Sequence, residues 1–596
     1  MATQTSVKIR IDGEDVIEFD NLEITQQIHG HHTFSFVEIF NKGFSQNALD
    51  RMQRYIGCMA YIEIVPKNFA AGEAHVFHGV VTDASLARAG GDAGGIVISG
   101  HSSTVYMDGI PRTRNFVGDS FSKIIHEVTR SHTGKVKFSQ NAEDEQPDYI
   151  VQYKESDFDF LRRLAQKKGH WFYFNGEELI FGKPRGKQVS LEYGHTLEEF
   201  DIRVSARPLG FRYSGYEATA AEVQQARSSE LQKNFQGVLQ HMVEMSEKMY
   251  PEGETGLYYH HPISEGNARN HLLDRVKIQR RGKEARLVMA TGISEDTRFR
   301  IGDIIGIKEP KFGLTQNPSD LVQEKYYGNY YVITLHHHCD GKGNYSNDFT
   351  AVPDSVDVPP YTDIFAPPVA ETQSAVVTDN NDPKGLGRVK VKFHWDYESP
   401  WIRMVQPHGG GNKGFYFIPE VGEEVQVAFE GGNAEKPYIT GTLYNGGQSS
   451  GYATAENDFK VIHTRSGHII KLSDAQGAES ITITDKNKNT IFIDTVGNNI
   501  DITANETMTL NAKNMQINVE EDMDIQVGNN KSEIVTNDCM FRANNQDIKV
   551  NEEIKILSTT YRQQAQEIAT DTSGEIKTNA GGLITIASAE GVDYGE

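Results

Sequence analysis

Cysteine is almost missing from this chain: three in 596 residues, Cys58, Cys339 and Cys539, far apart and odd in number. That argues against a disulfide framework. No apolar run approaches the ~18 residues needed to span a bilayer. The first residues, Met1 to Asp12, lack the charged segment and apolar stretch of an export signal. The expectation is a soluble protein, made and kept in the cytoplasm. Positive charge is also in deficit, 59 Lys and Arg against 82 Asp and Glu, for a net charge of −23. Such a surface repels phosphate, so nucleic acid is not expected as a partner. Proline is modest at 19 while glycine reaches 55, which suits a turn-rich β protein with room for several domains.

What is present is most distinctive in the last quarter, where pairs of apolar residues recur between polar steps rich in Asn and Asp. Ile500 and Ile502, Met508 and Leu510, Met515 and Ile517, and Met523 and Ile525 follow one another at intervals of 8, 7 and 8. Residues i and i+2 lie on different sides of a helix but on one face of a strand, so these are read as short strands with one wet face. A single chain stacked in this way has open edges and little core. The repeat therefore predicts one third of an intertwined β-prism, a trimeric needle on whose axis these eight residues meet. Residues 580–587 (AGGLITIA) still alternate, and Leu583, Ile584, Ile586 and Tyr594 are expected to form a docking surface at the tip. One strand spacing per step makes the needle on the order of 60 Å long.

The first half reads as β-rich with inserted helices. Residues 7–11, 60–65 and 96–98 have strand character, and Phe121, Ile124, Ile125 and Val128 mark an amphipathic helix capped by Asp119 or Ser120. The segment 150–182 is a strand, helix, hairpin unit. Ser156 caps a helix whose buried stripe is Phe158, Leu161, Leu164 and Ala165, Gly169 ends it, and Asn175-Gly176 supplies the positive φ angles of the hairpin turn. A further helix is expected over 265–276. Residues 353–370 carry five prolines and read as an extended connector. Beyond it, strands expected at 388–394, 401–406, 416–418, 424–429 and 438–443 suggest a small closed barrel of the OB type.

The motifs VQYKESDFDFLRRL (151–164), GLGRVKVKFHWD (385–396), WIRMVQP (401–407), GFYFIPEVGEEVQVAFEGGNAEKPYITGTLYN (414–445) and SGHIIKLSD (466–474) occur in this order ahead of the repeat. Together they resemble the VgrG spike family of type VI secretion, over nearly the whole chain. The resemblance implies a mainly β protein with inserted helices: a phage tail-hub-like base over 1–360, a connector over 361–375, an OB-fold neck over 376–446, a linker over 447–465 and a β-helical needle over 466–596. It also implies a homotrimer on a hexameric Hcp tube, a PAAR-repeat protein or effector at the tip, baseplate and sheath components around it, and release by contraction. The spike of an extracellular contractile injection particle or of a phage-like tail shares this plan. A passive adhesin of similar build would require an export signal.

No residue is expected to be catalytic, and no cofactor or metal is expected. A muramidase between neck and needle needs a folded insert with two working carboxylates, and only residues 445–460 lie there, with Glu456 and Asp458 as linker polar groups. The chain stops at Glu596, which is expected to leave no room for an appended effector domain. The run His336, His337, His338, Cys339 and Asp340 invites a metal reading, but neighbours on a strand face opposite ways. His126 and His132 are spaced i, i+6, wrong for a zinc helix. His29, His31 and His32 are expected in a solvated turn, trimer-axis metal being the alternative. Arg280, Arg281, Lys283 and Arg286 are expected as solvated surface or as docking charge. The segments 385–388 and 409–414 are Gly-rich turns, not phosphate cradles.

Overall fold

The computed structural model describes residues 3–39, 48–67, 74–87, 95–232, 235–251, 256–312 and 322–592. Strands dominate, with five α-helices among the described residues: α1 (Ala48–Tyr55), α2 (Phe121–Thr129), α3 (Asp157–Lys168), α4 (Gly237–Met249) and α5 (Ala268–Glu284). No described helix is long and apolar enough to cross a membrane.

A 13-stranded sheet draws strands from both ends of the first 353 residues. Its hinge is the long strand Val322–Cys339, which pairs with Ile304–Phe312 along its first part and with Phe19–Gln27 along its last. It also pairs with Asn344–Pro353. Two apolar cores result, one around Phe34, Ile62, Phe77 and Ile98, the other around Leu191, Leu287, Ile305 and Leu335. The expected strands at 7–11, 60–65 and 96–98 lie inside Thr3–Ile11, Met59–Pro66 and Gly95–Ser102.

A third core belongs to the segment read as strand, helix, hairpin. Tyr149–Glu155 leads into α3, where Ser156 Oγ accepts from the Asp159 amide and Gly169 closes the helix at φ 70°. Phe158, Leu161, Leu164 and Ala165 are all buried. The hairpin joins Phe172–Phe174 to Glu178–Phe181, but its turn differs from expectation. Only Gly176 has a positive φ, 105°, while Asn175 works through its side chain, whose Oδ1 accepts from the amides of Glu177 and Glu178. The helix expected over 265–276 runs on to Glu284 as α5, whereas α1 and α4 answer to no expectation.

Residues 354–369 carry neither helix nor strand, as a proline-rich connector should, yet they are packed: Val356 and Ile364 are buried, and the Tyr361 hydroxyl donates to His170 O and accepts from Phe172 N. A five-stranded sheet follows, ordered Lys390–Phe393, Gln373–Asp379, Glu424–Phe429, Pro437–Leu443, Arg403–Met404. Its core is Val377, Val391, Ile402, Val425 and Ile439. The strand expected at 416–418 does not form, because no neighbour pairs with it; the Gly-rich run makes a small hairpin instead, Gly409–Gly410 against Lys413–Gly414. The strand Gln373–Asp379 was not expected.

The chain divides into two compact units, one of residues 1–463, 469–482 and 493–499, the other of 464–468, 483–492 and 500–596. Short strands recur at Phe459–His463, Ile469–Ser473, Ser480–Thr484, Thr490–Asp494 and Asn499–Thr503. From 504 to 592 the single chain has no strand, so the steps expected at 508–510, 515–517 and 523–525 find no ladder within one chain. A strand exists by virtue of its ladder partner, and among the described residues these steps have none within their own chain.

Candidate functional site

Two of the sequence motifs meet in the fold. The loop after Phe429, from the EGGNAEKP stretch, reaches α3 of the hub, where the Lys167 ammonium donates to Glu435 across 268 residues of sequence. Arg163 stands 3.6 Å from the other carboxylate oxygen and binds Glu155 in a fork at 2.6 and 2.9 Å. Its Nη2 also donates to Val151 O at 2.6 Å. Lys167, Arg163 and Glu435 are all buried. Burial works to raise the Glu435 carboxyl, but the two cations outweigh it and hold the group below the ordinary carboxylate value.

Asn433 Nδ2, 2.9 Å from His261 Nδ1, and the apolar group of Tyr149, Val151, Tyr153, Ala370 and Ala434 complete the seam. Nearby, Arg388 forks onto Asp382 at 3.0 and 2.8 Å and reaches Glu265 at 3.1 Å. The Arg388 hydrogen bonds hold Asp382 well below the carboxylate range. This arrangement locks the hub to the OB-like sheet. No sequence signal named these partners; the charged residues in the two motifs, LRRLAQKK and GNAEKP, were the available hint.

The histidines at 29, 31 and 32 are packed, not solvated. His29 stacks on Tyr361 at 4.0 Å, and His31 stacks on Phe158 at 3.7 Å while bonding Asp108 at 2.7 Å. His32 is wholly buried, which pushes its imidazole down to about 3. The turn forms, but it is not solvated: Tyr361, Phe158, Phe77 and Phe174 close around the three rings. On Val322–Cys339 the neighbours alternate as expected, with His337 and Cys339 buried and His336 and His338 exposed. His132 bonds Asp157 at 2.9 Å. No group of three or more His, Cys, Asp or Glu among the described residues is placed to hold a metal ion.

The solvated reading of the basic cluster also fails for its two leading members. Arg280 and Arg281 are buried, sharing Glu284 at 2.7 and 2.9 Å, and the Arg281 guanidinium lies 4.5 Å from the Phe235 ring centroid. The eight needle residues Ile500, Ile502, Met508, Leu510, Met515, Ile517, Met523 and Ile525 are each more than half exposed in the single chain. Leu583 is 92% exposed, Ile584 and Ile586 are exposed as well, and Tyr594 lies outside the described residues.

Comparison with known proteins agrees with this organisation. A family model described as the phage tail baseplate hub matches residues 44–236, and one described as the type VI secretion system/phage-baseplate injector OB domain matches residues 373–444. The type VI secretion system spike protein VgrG1a of Pseudomonas aeruginosa is 26% identical over 469 residues, 69% of this chain and 68% of that one. Its VgrG1b is 27% identical over 373 residues, 56% of this chain and 48% of the relative. The actin cross-linking toxin VgrG1 of Vibrio cholerae is 24% identical over 358 residues, and the match spans only 30% of its length. A chain of the solved Francisella PdpA-VgrG complex superposes with a TM-score of 0.52 at 8% identity, covering 84% of this chain and 88% of that one, a likeness of fold alone. Hub model, OB model and curated spike proteins converge, and the chain is similar to the VgrG spikes of type VI secretion, with matches to a phage tail baseplate hub and to an injector OB domain.

Proposed function

We propose that this chain is one subunit of a homotrimeric puncturing spike, seated on the Hcp tube of a type VI secretion system and driven through a target membrane when the sheath contracts. The observation that carries the reading is the apolar ladder from Ile500 to Ile525, exposed throughout and, from Met508 on, without strand partners in one chain. Three chains wound on a common axis would bury the ladder and close every strand edge. The buried ion network joining hub to OB-like sheet supports a role in bearing load. Leu583, Ile584 and Ile586 offer an apolar surface for a PAAR-repeat protein or an effector. Baseplate and sheath components would surround the base. The protein would wait in the cytoplasm and leave it only by contraction, with no catalytic step of its own.

The mass of the purified protein by light scattering tests this reading, with three chains expected. A monodisperse monomer at micromolar concentration would overturn it. A second reading, the spike of an extracellular injection particle or phage-like tail, is favoured by the matched OB model, whose description covers phage baseplates as well as type VI secretion. Co-purification of Hcp with the trimer separates the two.

A further inference from the structure

Beside the hub seam lies a cavity of about 370 Å³ lined by the end of α3, by α5 and by the loops around Glu145 and Tyr259. Its wall sets the donors Arg275, Lys168, Tyr259 and His271 beside several carboxylates, Glu145 and Glu435 among them, and Arg275 Nε is buried with no hydrogen-bond partner among the described residues. Arg275 on α5 is 5% exposed, yet its guanidinium makes no hydrogen bond to a described residue. Its one ion pair among the described residues is with Glu145 Oε2, at 3.9 Å, and that carboxylate already accepts from Lys168, a second cation that interacts with Arg275. The Tyr259 hydroxyl, on a side chain 1% exposed, likewise donates to no described residue. His271 Nδ1 accepts from the Ser264 amide at 2.9 Å, which puts the ring proton on Nε2 as a third free donor. Buried donors are seldom left unanswered, and a buried guanidinium least of all.

We propose that this cavity binds a small oxyanion, a phosphate or a carboxylate, held by Arg275 with Tyr259 and His271 as further donors. The planar guanidinium fork fits two oxygens of such a group, and a tetrahedral or carboxylate anion has acceptors for the remaining donors. Glu145 is the internal competitor: it draws Lys168 and Arg275 toward itself, so the site gains affinity when Glu145 loses its charge. Water filling the cavity is the rival occupant, and it predicts no saturable response to either anion.

The test is titration calorimetry of the full chain with inorganic phosphate and, separately, with acetate, each at constant ionic strength. Wild type should bind at least one of them saturably, and which one identifies the source of the oxyanion. Glu145→Gln should bind at least threefold more tightly, and Arg275→Gln at least tenfold more weakly. Circular dichroism checks that both variants fold. Should Arg275→Gln fail to fold, the Glu145→Gln arm decides alone, since its predicted gain cannot arise from damage. Absence of saturable binding in wild type and Glu145→Gln, or equal affinity in all three proteins, overturns the proposal.

Discussion

Glu435 shows how much one side chain is asked to do. It is buried between Lys167 and Arg163, and removing its charge leaves two cations without their shared partner. Glu435→Gln should therefore lower stability by about 3–5 kcal/mol, read as a shift of the urea midpoint. Asp119→Asn, which breaks the solvent-screened Asp119–Lys123 pair at the surface, should leave the midpoint almost unchanged. The pH dependence has a definite sign. The folded-state value of Glu435 lies below its ordinary 4.5, so its contribution is complete above that pH and is lost as acidity rises through the lower folded value. Below pH 4.5 the wild-type midpoint should fall faster than that of Glu435→Gln; parallel profiles would show that Glu435 is not the titrating group.

At the scale of the element, close approach matters more than propensity. Gly100, in Gly95–Ser102, sits where a Cβ would lie 2.0 Å from Val80 O and 2.6 Å from the Phe34 ring. Neither neighbour has room to retreat, since Phe34 is buried in the first core and Val80 belongs to the adjoining strand. Gly100→Ala should cost about 1–3 kcal/mol or more through overpacking, whereas Gly109→Ala, with open space around it, should be nearly silent in the same thermal melt. Comparable shifts would mean that the two strands can part without penalty. The local unit around α3 behaves differently: its boundaries follow from Ser156 and Gly169, which satisfy the helix ends whatever packs above them.

For the whole molecule the decisive question is the needle. If three copies of Ile502 face one axis, Ile502→Asp places three carboxylates together in an apolar core, each at several kcal/mol or with a displaced pKa. Trimer should then give way to monomer or aggregate in sedimentation velocity, while Asp501→Lys, on the wet face, should leave the trimer intact. Equal tolerance at the two positions would reverse the assignment of inside and outside. The same logic applies to Ile525 and its neighbour Gln526.

What the chain's own order of residues determined is everything carried by short-range signals. Caps and stripes located α2 and α3, alternation put neighbours among His336 to Cys339 on opposite faces, and the motifs from 151 to 474 announced the resemblance to VgrG. The tertiary structure alone decided the rest. It laid Val322–Cys339 beside Phe19–Gln27, buried Arg280 and Arg281 against Glu284, enclosed His29 to His32, and brought Glu435 to Lys167. A cap or an alternating face is satisfied within a few residues, so its signal is local. Whether a charge lies buried or solvated depends on a partner that only folding brings near.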